Sequence, residues 1–230
     1  MVVVLYDAFG ASVCESKRMG YRAKCYSPPG VDTSGCVSLE ATHELPPAPS
    51  QEQLLEIVRG AAFVLAFPTC RHICISGARW WKRKRREDPE FQSREVASII
   101  TLFRTLRQSR CPFAMLMPQT PLLRVIDQHS PVLVSPHEFG GYLNEGSNPV
   151  NVDIPSQDAY KKRTSLFLGN HAVMPIRRPV KPNLEEIKTK SGTKLVSPLF
   201  KSRKSRVLRG VPPRGLCAAL ARANLVNLAG

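Results

Sequence analysis

The sequence predicts an α/β fold built on a doubly wound, mostly parallel sheet. Three observations predict it. Short uninterrupted apolar runs occur at Val2 to Tyr6, Ala61 to Phe67 and Phe113 to Met117, as in strands buried on both faces. Segments with helical spacing of apolar residues lie between them. Two of the runs stop at a proline, Pro68 and Pro118, which has no N–H to offer a ladder. At 230 residues the chain suits one such domain with a small appendage and is long enough to bury a core. The expected division is 1–175 for the α/β domain and 176–230 for a basic arm whose final helix packs back on the same domain.

Taken in order, Val2 to Tyr6 is the first strand, and Asp7 to Ser12 a turn. Val13 to Met19 reads as a helix with Gly20 at its C-cap, and residues 21–27 as a second strand. From Pro28 to Pro49 the chain is rich in Pro, Gly, Ser and Thr without periodicity, which predicts a surface excursion. Ser50 with Gln53 forms a capping box, and Gly60 ends the helix it opens. The strand to Phe67 follows. Residues 90–110 carry Val96, Ile99, Ile100, Phe103 and Leu106 on one face, the pattern of a helix covering a sheet. Val132 to Val134 and Ser165 to Leu168 are further strands, separated by an irregular stretch from Phe139 to Pro155. Gly215 to Leu225 resumes a helical apolar pattern that needs a core to dock on.

Charge narrows the partners. The net charge is +15 with a hydrophobic content of 43%, which excludes a disordered chain and points to a polyanion, most simply nucleic acid. The run Lys82-Arg83-Lys84-Arg85-Arg86 reads equally as a solvated loop, a phosphate-binding patch or a nuclear localisation signal. Twelve bases between Arg177 and Arg214 face only Glu185 and Glu186, as expected of a phosphate-contacting arm. No apolar run reaches the length of a membrane span, and Met1 to Leu5 lacks the basic flank of a signal peptide. Seven cysteines at scattered spacing imply reduced thiols and an intracellular compartment. Cys70, His72 and Cys74 lack the second ligand pair of a structural zinc site, so no metal is expected. Nothing in the sequence fixes an oligomeric state.

Cys70 stands just past the strand that ends at Phe67. Ligands of open α/β sheets bind beyond the carboxyl ends of strands, so a thiol there faces a pocket; the plain alternative is a buried structural cysteine. The ordered landmarks are Ala8-Phe9-Gly10, Pro68-Thr69-Cys70, Ser76-Gly77-Ala78-Arg79-Trp80, Pro136-His137-Glu138-Phe139-Gly140, and Lys161-Lys162-Arg163-Thr164 with the strand after it. In this order they resemble the short cytosine-5 DNA methyltransferase-like proteins of phages and large DNA viruses, across nearly the whole chain. That resemblance implies a sheet of the S-adenosylmethionine-dependent methyltransferase type, S-adenosylmethionine as cofactor and DNA as substrate. Cys70 becomes the nucleophile that adds to cytosine C6, and Arg163 the group that holds the cytosine O2. Asp7, Phe9, Gly10 and Pro68 become cofactor contacts. DNA contacts are expected at Arg79, Lys82, Arg83, Lys84, Arg85, Arg86, Lys162, Arg203, Lys204 and Arg206, with the target base flipped out of the duplex. Arg71 or Arg79 would raise the thiolate fraction of Cys70. The implied location is the nucleus in a eukaryotic host, otherwise the cytoplasm.

The chain departs from that pattern at three places. Leu116 occupies the position of the glutamate that activates the cytosine, leaving Glu138 or Asp127 as substitutes. Ala8 replaces the first glycine of the cofactor turn, where a methyl hinders close backbone approach. No acid stands at the end of the second strand near Tyr26-Ser27, leaving Asp7 or Asp32 to hold a ribose. These departures define two alternatives: a fold relative that binds DNA without catalysis, and a zinc-dependent DNA binder on Cys70, His72 and Cys74.

Overall fold

The computed structural model describes residues 1–7, 10–28, 42–46, 48–120, 131–146, 154–189, 192–196 and 210–225. Strands β1 (Val2–Leu5), β2 (Ala23–Ser27), β3 (Thr42–Glu44), β4 (Phe63–Ala66), β5 (Phe113–Pro118), β6 (Val132–Val134) and β7 (Thr164–Gly169) form one sheet. Among the described residues its order is β3-β2-β1-β4-β5-β7-β6. The first five strands in that order are parallel. Strand β7 enters antiparallel between β5 and β6.

Alternation along the strands makes two cores. Val3, Leu5, Val64, Ala66, Phe113, Met115, Met117 and Phe167 face α2 (Gln51–Val58) and α4 (Phe91–Gln108). Their neighbours Val2, Val4, Phe63, Leu65, Ala114, Leu116 and Leu166 face α1 (Ala11–Arg18) and α5 (Arg214–Leu225). Both faces are covered, which is why the strands read as unbroken apolar runs. Full burial of each such side chain contributes about 1.5–3 kcal/mol. Gly169 lies opposite Phe113 in the β5–β7 ladder. A Cβ there would approach Phe113 Cε1 to 2.2 Å, so any larger residue would displace the buried Phe113 ring.

The expected helix stops are present: Gly20 and Gly60 adopt φ +84° and +69°, and Ser50 with Gln53 forms the reciprocal capping box. Helix α5 packs on α1, β4 and the 3-10 turn Pro136–Tyr142, so the chain's last helix returns to the sheet. Its first residue, Arg214, is fully buried and pairs through Nε with Asp158 Oδ1 at 3.2 Å. The Gly215 N–H donates to Asp158 Oδ2 at 2.9 Å.

Three segments differ from expectation. The excursion from Pro28 to Pro49 contains β3, an edge strand held by Leu45, which is buried, and by His43 stacked on Tyr26 at 5.1 Å. The basic run Lys82 to Arg86 lies within helix α3 (Trp81–Glu87), so of its three readings only the loop is set aside. The basic arm carries a hairpin of β8 (Glu185–Thr189) and β9 (Gly192–Val196). Its earlier part runs along the Pro136–Tyr142 turn, Arg178 N–H donating to Glu138 O and Val180 N–H to His137 O, both at 2.9 Å. Among the described residues no helix is long and apolar enough to cross a membrane.

Candidate functional site

The register brings the candidate residues to one edge of the sheet. Leu5 lies beside Ala66, Ala66 beside Met115, and Pro118 opposite Thr164, which in turn pairs with Val134. The carboxyl ends of β1, β4, β5 and β6 and the start of β7 therefore converge. Gly10, Cys70, Lys162 and Arg163, distant in sequence, all follow or precede strand ends at this edge.

Cys70 is half-buried and packs against the core on the α4 side. The chain turns sharply after it, with the Cys74 N–H donating to Cys70 O at 3.0 Å. Thr120, just past β5, covers the turn by donating to Ile73 O at 2.7 Å. Burial pushes the Cys70 thiol up to about 12, with Cys74 and Glu95 adding to the rise and Lys162 opposing it. This corrects the expectation that Arg71 or Arg79 activates the thiol. Both are exposed; Arg79 lies over the Trp80 ring and Arg71 acts on Glu95 and His72, whereas the cation that opposes the rise at Cys70 is Lys162. Arg163, beside it, is exposed. Lys162 is positioned by its own N–H, which donates to Ser135 Oγ at 3.1 Å.

Past β1, Asp7 is bonded to the first turn of α1. Asp7 is fully buried, and its carboxylate accepts from the Ser12 N–H at 3.0 Å and from the Ser12 hydroxyl. Asp7 thereby holds the first turn of α1 through Oδ2. Gly10 sits at the N-cap of α1 with φ +62°, a left-handed conformation that glycine adopts without strain. Pro68 is buried beneath the Cys70 turn. Phe9, Asp32, Asp127, Arg203, Lys204 and Arg206 lie outside the described residues.

Leu116 is 4% exposed and packs on the α5 side of the sheet, opposite the core that Cys70 touches. Glu138 is engaged locally. Its carboxylate accepts from the Ser135 N–H at 2.7 Å and lies 3.6 Å from Arg177 Nε, so it closes its own turn. Among the described residues no group of three His, Cys, Asp or Glu side chains is placed to hold a metal ion.

Sequence reasoning misses two acids. Glu44 pairs with Ser27 across β2 and β3 and is exposed, so an acid does stand at the end of β2, supplied by the neighbouring strand. Glu95 on α4 accepts from the His72 N–H at 2.6 Å, and Gln92 one turn earlier donates to His72 O at 3.2 Å. Together they clamp the Cys70 turn. Burial raises the Glu95 carboxyl to about 7, offset by the His72 and Arg71 amides and by the charges of Lys84 and Arg71. His72 Nδ1 lies 3.3 Å from Lys84 Nζ, and burial followed by Lys84 and Arg71 lowers its pKa. No pattern in the sequence marks either acid, because each acts on a segment that only folding brings near.

The expected cations at Arg79, Lys82, Arg83, Arg85 and Arg86 are exposed on or next to α3, and Lys84 is half-buried against His72. A cleft of about 780 Å³ opens at the opposite, amino edge of the sheet, lined by Leu55, Gly60, Arg110, Cys111, His171 and Asn224. None of the expected site residues among those described lines it. No protein-family model matches the chain, and no curated protein matches it.

Proposed function

We propose that the chain is a DNA cytosine-5 methyltransferase whose nucleophile is Cys70. The observation that carries this reading is the topology. An antiparallel strand set between β5 and the edge strand β6 distinguishes the sheet from the all-parallel dinucleotide-binding order and agrees with the methyltransferase type. The same topology collects Cys70, Lys162 and Arg163 at the carboxyl edge, beside the Gly10 turn.

S-adenosylmethionine fits part of this edge. In this reading Gly10 leaves room for the cofactor at the start of α1, and Glu44, exposed beside the end of β2, accepts from a ribose hydroxyl. Asp7 is already committed to Ser12. The cofactor would supply an electrophilic methyl group. The chain's own task is to make cytosine C5 nucleophilic. With its proton passed to water, the Cys70 thiolate adds to C6, opening the C5–C6 double bond and leaving electron density at C5; once C5 carries the methyl group, water takes the C5 proton, the double bond re-forms and the thiolate leaves. Lys162 and Arg163 supply positive charge where the ring oxygen gains negative charge.

Two observations favour a second reading, a methyltransferase-fold DNA-binding protein without catalysis. Leu116 is buried and apolar where an acid would protonate the ring, and the Cys70 thiol is pushed up rather than down. Incubation with labelled S-adenosylmethionine and DNA separates the two. Transfer that vanishes in Cys70→Ser supports the enzyme. DNA binding that persists without transfer, equal in wild type and variant, supports the second reading.

A further inference from the structure

The sequence Trp80-Trp81 divides into an anchor and a projection. Trp81 is half-buried and folds back on the preceding turn, its Nε1 4.0 Å from where a Cβ on Gly77 would sit. Trp80 is 45% exposed. The guanidinium carbons of Arg79 and Arg83 lie 5.0 and 5.3 Å from its ring centroid, within cation–π range. Helix α3, which Trp80 leads into, has no buried residue. It therefore adds nothing to the core, yet it presents Lys82, Arg83, Arg85 and Arg86 within two turns, with Glu87 as the acid on the same helix. Like charges at this spacing repel. A polyanion would relieve that repulsion.

Phosphates alone would need only the cations. The exposed indole, with two solvent-exposed cations beside it that an incoming base can displace toward its phosphates, matches a different requirement, a flat apolar surface on which a base stacks. Bases in a matched duplex have no free face to offer.

We propose that Trp80, flanked by Arg79 and Arg83, is a stacking platform for an unpaired nucleobase, in single-stranded DNA or at a gap in a duplex. The proposal takes DNA as the polyanion of the functional reading and is independent of methyl transfer.

The chain has two tryptophans, so Trp81→Phe leaves Trp80 as the sole indole reporter. Titration with a single-stranded oligonucleotide, a matched duplex and a duplex containing an abasic site is expected to quench Trp80 strongly with the first and third and weakly with the second. Trp80→Ala should weaken single-strand binding by about 5- to 100-fold and leave the salt dependence unchanged, while Trp80→Phe restores most of the affinity. If Trp81→Phe fails to fold, the difference spectrum of wild type minus Trp80→Phe supplies the same signal. Equal quenching by matched duplex, or unchanged single-strand affinity in Trp80→Ala, overturns the platform even where methyl transfer is intact. Methyl transfer that is absent with selective quenching retained overturns the enzyme reading and leaves the platform standing. Failure to bind any of the three DNAs overturns both.

Discussion

Helices α3 and α4 are separated by three residues and solve opposite problems. Helix α4 has eighteen residues and buries Phe91, Ile99, Leu102, Phe103, Thr105 and Leu106. Helix α3 has seven residues and buries none. Beyond the half-buried Trp81 at its start, its links to the rest of the chain are polar or cation–π: Lys84 to His72 and to the Phe91 ring, and Arg85 to Gln92 at 3.0 Å. The Arg83–Glu87 pair within α3 is exposed at both ends, and such pairs add little stability. The contrast teaches that stability and recognition are assigned to different helices. Helix α4 holds the sheet and clamps the Cys70 turn from beneath, while α3 carries charge outward from the same turn. Substitutions should therefore sort by helix.

The largest effect is expected on α4. Phe103 meets the rings of Phe113 and Phe167 at 5.8 and 5.9 Å, and Phe103→Ala should lower unfolding free energy by about 3–5 kcal/mol in urea titrations. A loss comparable to that of an exposed α3 substitution would break the comparison.

Next comes the turn that both helices serve. With the Cys70 thiol raised from 9.0 to about 12, its thiolate fraction near pH 8 is lower by about a thousandfold, and the greater nucleophilicity of a more basic thiolate recovers about 30-fold. Alkylation of Cys70 by iodoacetamide, read by peptide mass mapping, should therefore run about 30-fold slower than that of free cysteine. It should rise about tenfold per pH unit from about 8 to about 10. A plateau below about pH 9 would show that the turn activates the thiol after all.

Neutralising Lys82, Arg83, Arg85 and Arg86 to Gln should change stability by under about 0.5 kcal/mol per site. It should reduce the slope of log affinity for DNA against log salt by about 0.9 for each phosphate that the variant no longer neutralises. Intact salt dependence would remove α3 from the interface.

An effect confined to high pH concerns Glu95. Its folded pKa of about 7 lies above the ordinary carboxyl value of 4.5, so the folded protein binds more protons than the unfolded chain between those values. Stability from this group is thus greatest at low pH and falls as pH rises from about 4.5 to about 7. Glu95→Gln keeps an acceptor for the His72 N–H and removes the buried charge. Its melting temperature should match wild type near about pH 4.5 and exceed it at about pH 8. A lower melting temperature at the higher pH would mean that the charge itself secures the turn.

Much of the scaffold is legible in the sequence because its signals are local. Runs such as Phe113 to Met117 need no partner to be recognised as buried strands, and Gly20 and Gly60 mark stops that their positive φ values require. The position of Cys70 past a proline-ended strand is legible for the same reason. Strand β3 is not, since Thr42-His43-Glu44 is polar and forms only because β2 offers an open edge. The job of Asp7 is hidden because a carboxylate after a strand looks the same whether it meets a ligand or the Ser12 amide five residues on. In sequence, Glu95 looks like any solvated acid on an amphipathic helix.

Taken by itself, the order of residues determined the layered α/β design, the strand ends where chemistry is expected and the large positive charge, because periodicity and composition act over a few residues at a time. Tertiary structure alone decided that β7 runs antiparallel beside β5, that Glu44 stands at the end of β2, and that Cys70 is weakly acidic in a turn gripped by Glu95. Register, burial and electrostatic coupling join residues far apart in the chain, and they acquire values only once the sheet has closed around them.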